Sequence, residues 1–174
     1  MTTALPWAHQ SVDIPAGGLS QTRTADAAQR AALAKDLGML DLTDLTARYR
    51  IEALAGGGYR LHGRVQATGA QPCVVTLDPV PARLDEAFDV EFWAARADDD
   101  EADGGEAPIL DARDVEVLER GEIPVGRIVF ETLSAGLDPY PRKPDATFEW
   151  QDRAASSAEK ASPFAALSKL KRET

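Results

Sequence analysis

The sequence predicts an α+β fold: an antiparallel sheet of about five or six strands packed with two helices, then a C-terminal tail carrying a short helix. Three observations point there. Apolar residues recur every second position over 46–53, 59–66 and 87–93, the period of half-buried strands. Two stretches, about 25–37 and 125–137, carry helical spacing instead. The strands follow one another over short connections, and closely connected neighbours pair antiparallel because parallel pairs need long crossovers.

In chain order, Gln10-Ser11-Val12-Asp13-Ile14 alternates polar and apolar, a short strand pattern that Pro15-Ala16-Gly17-Gly18 ends. Thr24 is the expected N-cap of an Ala-rich helix with Leu33 and Leu37 on one face, and Gly38 is its C′ stop. From Leu45 the period becomes two. Arg48, Arg50 and Glu52 alternate with Tyr49, Ile51 and Ala53, Gly56-Gly57-Gly58 turns the chain, and Arg60, His62, Arg64 and Gln66 alternate with Leu61 and Val65. This is a hairpin pattern. Cys73–Leu77 and Ala87–Trp93 read as two further strands around the turn-rich Asp78-Pro79-Val80-Pro81. Tyr49, Ile51, Leu61, Val65, Val75, Phe88 and Val90 are the expected common core. Val115–Leu118 is a last strand, Glu119–Glu122 a turn, and Pro124 suits the first turn of the second helix. Asp138-Pro139-Tyr140-Pro141-Arg142-Lys143-Pro144 stops that helix and runs extended.

Two domain-level boundaries follow. Residues 1–150 form one domain with an exposed acidic loop at 97–108, where six acids stand in twelve residues without an apolar residue larger than alanine or proline. Residues 151–174 form a polar linker and a short capped helix. Its stripe Phe164, Leu167 and Leu170, followed by Lys171, reads either as a docking element that orders on a partner or as a stripe that folds back onto the chain's own sheet.

The chain has 174 residues and a net charge of −10. The charge is uneven: residues 1–72 hold seven basic against six acidic groups, 73–141 five against eighteen, and 142–174 seven against five. The summed field repels phosphates, so non-specific nucleic-acid binding is excluded while a local RNA contact or a basic protein partner is not. No apolar run reaches the ~20 residues of a membrane span, and the lone Cys73 suits a reducing cytoplasm. No phosphate-binding loop, nucleophile elbow or dinucleotide fingerprint is present, and no enzyme activity, cofactor or small-molecule substrate is expected. His9 and His62 lack metal-ligand spacing. Cys73 reads either as a reactive thiol or, as we expect, a small buried hydrophobe. The sharpest candidate site is the hairpin face with Arg48, Arg50, Arg60, His62 and Arg64: either a contact surface for RNA phosphates, or cations answered by the acids of residues 85–91. Arg142 and Lys143 are a second candidate contact.

Three ordered segments resemble the YceD family of large ribosomal RNA subunit accumulation proteins: the cysteine-led Cys73–Val80 with Pro79, the helix end running into Asp138-Pro139-Tyr140-Pro141-Arg142-Lys143-Pro144, and the ending Ser162–Lys171, similar to alphaproteobacterial members. Many members carry a second cysteine where Thr76 stands here, so the resemblance gives Cys73 no zinc or redox role. It implies a non-enzymatic ribosome biogenesis factor supporting synthesis, processing or stability of the large-subunit ribosomal RNA. The partner it implies is the ribosomal RNA precursor, a basic large-subunit ribosomal protein, or both. The alternative is an acidic adaptor that binds such a protein without touching RNA.

Overall fold

The computed structural model describes residues 4–94 and 114–147. Chain contacts divide the sequence into a unit of residues 1–144 and one of 145–174, and only the first is described at length. The expected loop at 97–108 and docking stripe Phe164, Leu167, Leu170 and Lys171 lie outside the described residues.

The first unit is α+β. Its main sheet has five strands in sequential order: β2 (Leu19–Thr24), β3 (Asp41–Ala53), β4 (Tyr59–Pro72), β5 (Pro79–Trp93) and β6 (Asp114–Val117). β1 (His9–Gln10) and β7 (Glu122–Ile123) form a separate antiparallel pair. Helix α1 (Ala27–Asp36) packs on β3, and α2 (Val125–Gly136) packs on β4 and β5. Both helices share one buried cluster with the inward residues of β3–β5, so the other sheet face carries no described helix.

The period-two expectation holds at its centre. Tyr49, Ile51, Leu61, Val65, Phe88 and Val90 are all buried, three of them at 0% exposure. Across the hairpin Arg48 faces Arg64, Arg50 faces His62 and Glu52 faces Arg60. The pleat puts such facing pairs on one side of the sheet. Gly56 and Gly57 take φ of +94° and +90° at the turn, a region closed to most L-residues. Gly58 is needed for a different reason: a Cβ there would stand 2.7 Å from the indole of Trp93, which lies over the turn.

Several elements differ from expectation. Cys73–Leu77 is not a strand but a tight turn between two strands longer than the periodicity indicates, and Val75 is only half-buried and outside the core. The Val-Val-Thr run has strand propensity, yet Cys73 N–H donates to Asp78 O at 2.8 Å and closes the turn. Pro79 and Pro81, expected in a turn, open β5 where it pairs with β4 alone; an outer edge loses no ladder bond to proline. Strand β3 starts at Asp41, because a bulge between Leu42 and Asp44 shifts the phase and buries both Leu42 and Leu45. Residues 10–14 hold only the end of β1 and a 3-10 turn, whereas β2, polar on both faces after Leu19, had no apolar period to announce it. The cap of α1 is Asp26, not Thr24: Gln29 N–H donates to its carboxylate at 2.8 Å and Asp26 N–H to the Gln29 side chain at 3.0 Å, a reciprocal capping box. Gly38 does take the left-handed conformation after α1, at φ +67°, while Pro124 is the N-cap of α2 rather than its first helical residue. Finally, β6 runs parallel to β5. The long connection from Ala94 to Arg113 is what permits it.

Candidate partner-binding surfaces

Three places gather the chemistry-bearing residues. The first is the open face of the sheet. Arg48, Arg50, Arg60, His62 and Arg64 lie there together, and β5 brings Asp85, Asp89 and Glu91 opposite Gln66, His62 and Arg60. Arg64 donates to Asp85 at 2.8 Å, Arg60 makes a two-pronged ion pair with Asp89, and Arg50 donates to Glu52 at 2.6 Å. Arg50 is further held by Ser20 Oγ at 3.0 Å and Gly17 O at 2.7 Å. The hydrogen bond from Arg64 holds the Asp85 carboxyl below its usual range, and Arg50 does the same for Glu52. His62 Nε2 is covered and 3.7 Å from Glu52, too far for a hydrogen bond. Of the five, Arg48 is exposed and makes no ion pair among the described residues. Arg60 and Arg64 are answered by acids of residues 85–91, and Arg50 by Glu52 on its own strand.

The second place joins segments 65 residues apart. Val74 N–H donates to Pro141 O at 2.8 Å, Gln71 Nε2 to Asp138 O at 2.9 Å, and Lys143 Nζ pairs with Asp78 at 3.0 Å. Tyr140 N–H donates to the Asp138 carboxylate at 2.9 Å. The turn Cys73–Asp78 and the proline segment 138–143 are therefore one element, which the sequence presents only as two unrelated stretches. Prolines fix its backbone and Pro141 is buried, but Tyr140 is 77% exposed and Leu77, at φ +63°, 73%. Cys73 is inaccessible yet apart from the main core. A hydrogen bond from the Thr76 side chain, then backbone N–H groups of Lys143, Thr76 and Val75, favour its thiolate and lower the thiol to about 6.

The third place was not anticipated as a shape. Between β5, β6 and α2 lies a cavity of about 680 Å³, and beside it, meeting it at Glu116, one of about 710 Å³. Edges of Phe88, Val90 and Ile128 form the floor of the first. Glu86, Asp114, Glu116 and Glu131 stand around it, and Glu119 and Glu122 around the second. The lining cations are Arg127, which Glu116 and Glu131 already hold, and Arg120. The acidic middle of the sequence signals the charge, but nothing in it signals a groove.

Among the described residues no group of His, Cys, Asp and Glu is arranged to hold a metal ion, and no helix is long and apolar enough to cross a membrane. His9, half-buried, hydrogen-bonds the Tyr49 hydroxyl at 2.8 Å, and burial lowers its pKa.

The family model for the large ribosomal RNA subunit accumulation protein YceD matches residues 61–171. No curated protein and no solved structure gives a significant match to the chain.

Proposed function

The chain belongs to the YceD family, whose role is accumulation of the large ribosomal RNA subunit, and from that premise we propose that it acts in the cytoplasm by binding rather than catalysis, holding a basic large-subunit ribosomal protein. The observation that carries this reading is the contrast in charge compensation. Three of the four hairpin arginines on the open face are paired with carboxylates, Arg60 and Arg64 with β5 and Arg50 with Glu52, whereas the carboxylates beside α2 outnumber their cations. Potential complementarity therefore favours a cationic protein segment over a polyanion. Support of ribosomal RNA synthesis, processing or stability then follows indirectly, because a ribosomal protein delivered intact protects the RNA it binds.

A second reading, direct contact with ribosomal RNA, is favoured by one feature: Tyr140, held rigid and 77% exposed beside the exposed Arg142, offers a ring on which an unpaired base can stack. Affinity capture of the full chain, with and without ribonuclease treatment, separates the two. We expect basic ribosomal proteins to remain bound after ribonuclease. Loss of every ribosomal component on treatment would replace the first reading by the second.

A further inference from the structure

We propose that the paired cavities along β6 and the start of α2 are the seat of a Lys/Arg-rich protein segment that carries an apolar anchor residue. This deepens the proposed function and rests on it, since it says where and in what form the basic partner is bound. Three observations converge. The first cavity has an apolar floor, the edges of Phe88, Val90 and Ile128, which a cluster of surface carboxylates alone would not need. Its acidic walls are uncommitted in part: the side chains of Glu86 and Asp114 make no hydrogen bond or ion pair among the described residues, and Glu116 and Glu131 share the single Arg127. The second cavity continues from Glu116 past Glu119 and Glu122, so the track suits an extended chain rather than a compact small molecule.

Chemistry selects the occupant. An anionic segment meets repulsion along the whole track, and a purely apolar one leaves the carboxylates desolvated without partners. A segment with alternating cations and an apolar residue satisfies both. The chain's own connection between β5 and β6, residues 95–113, carries seven acids against Arg96 and Arg113, and so offers the walls no excess of positive charge.

The test uses the full-length protein and a fluorescein-labelled Lys-Ala repeat peptide with one central Phe, read by fluorescence anisotropy. Ala135, exposed on α2 at the mouth of the first cavity, is changed to Trp to fill it with no change of charge. Asp114→Lys combined with Glu131→Lys reverses the walls. Asp36→Lys combined with Asp41→Lys removes the same number of exposed acids elsewhere. We expect Ala135→Trp and the wall variant each to weaken binding by about tenfold or more, and the distant variant to change it less than about twofold. Circular dichroism melting identifies any variant that fails to fold, and Ala135→Leu then replaces Ala135→Trp. Equal losses in the wall and distant variants would show attraction by net charge alone and overturn the groove. So would tight binding that appears only after truncation at residue 158, which would make the chain's own basic ending the occupant. If these variants bind the peptide normally while ribonuclease-resistant capture of a ribosomal protein persists, the groove is wrong and the proposed function stands. If capture itself fails, it is the proposed function that is wrong.

Discussion

The open face of the sheet and the groove beside α2 are both densely charged, yet they are built oppositely. On the open face, cations are set beside acids: Arg50 pairs with Glu52 on β3 itself, and Arg60 and Arg64 of β4 pair with Asp89 and Asp85 of β5. Such exposed pairs contribute little to stability, but they leave little net field for a phosphate. In the groove the acids come from β5, β6, the following turn and α2, and only Arg127 and Arg120 intrude. The comparison teaches that a run of like residues in the sequence says little about surface potential. Strand register decides it, by choosing which charges become neighbours.

Register is thus the foundation of the comparison, and breaking it gives the largest effect. Leu61 is fully buried while Arg60 beside it faces the open side. Leu61→Ala should cost about 2–4 kcal/mol in chemical denaturation. Arg60→Ala should cost far less than Leu61→Ala, because the pair it makes with Asp89 is solvent-screened. Equal losses would mean that the two faces have been exchanged.

That register was legible because Tyr49, Ile51, Leu61 and Val65 alternate with charges, and a one-residue slip would send every apolar side chain into water. The bulge at Leu42/Asp44 was not legible, since an extra residue in one strand leaves no mark on composition. Nor was β2, which after Leu19 is polar on both sides and is held chiefly by pairing with β3. Cys73–Leu77 misled for the opposite reason: its local preference for a strand is overridden by partners such as Pro141 that lie far along the chain. The arginine cluster was visible in sequence as a set of positions, and its neutralisation as an alternative; choosing between them required knowing that Arg60 sits by Asp89 and Arg64 by Asp85.

A smaller effect sharpens the contrast directly. Asp85→Asn with Asp89→Asn keeps the shapes but releases Arg64 and Arg60 from their carboxylates. The open face should then gain the character that composition promises. Binding to a ribosomal RNA fragment in gel shifts at low salt should strengthen by about tenfold, with a steeper salt dependence from the two added phosphate contacts. Stability should change little, because the pairs are exposed. An RNA affinity unchanged in the double variant would show that β5 is not what silences the arginines.

The smallest effect concerns a thiolate held by neutral dipoles instead of cations. The Cys73 thiolate is favoured by the Thr76 hydroxyl and by backbone N–H groups, which bring the thiol to about 6, against roughly 8.5 for an ordinary cysteine. Thr76 has one hydroxyl proton and two anionic neighbours, since its Oγ1 also stands 3.0 Å from Asp78 Oδ2. Asp78 also has a cationic donor of its own in Lys143, at 3.0 Å. Because the folded pKa lies below the unfolded one, the thiolate's contribution to stability is complete above the unfolded value and disappears as pH falls through about 6. Melting temperature should therefore rise on this account between about pH 6 and about pH 8.5. Thr76→Ala removes the first of the favourable partners. It should raise the midpoint of the thiolate's ultraviolet absorbance toward that of an ordinary cysteine and flatten the rise in melting temperature over the same interval. Thr76→Ser, which keeps the hydroxyl, should preserve both. An unshifted midpoint in Thr76→Ala would assign the thiolate to the backbone N–H groups of the turn alone, and would make the turn's closure by Val74 and Pro141, rather than the Thr76 side chain, the origin of its acidity.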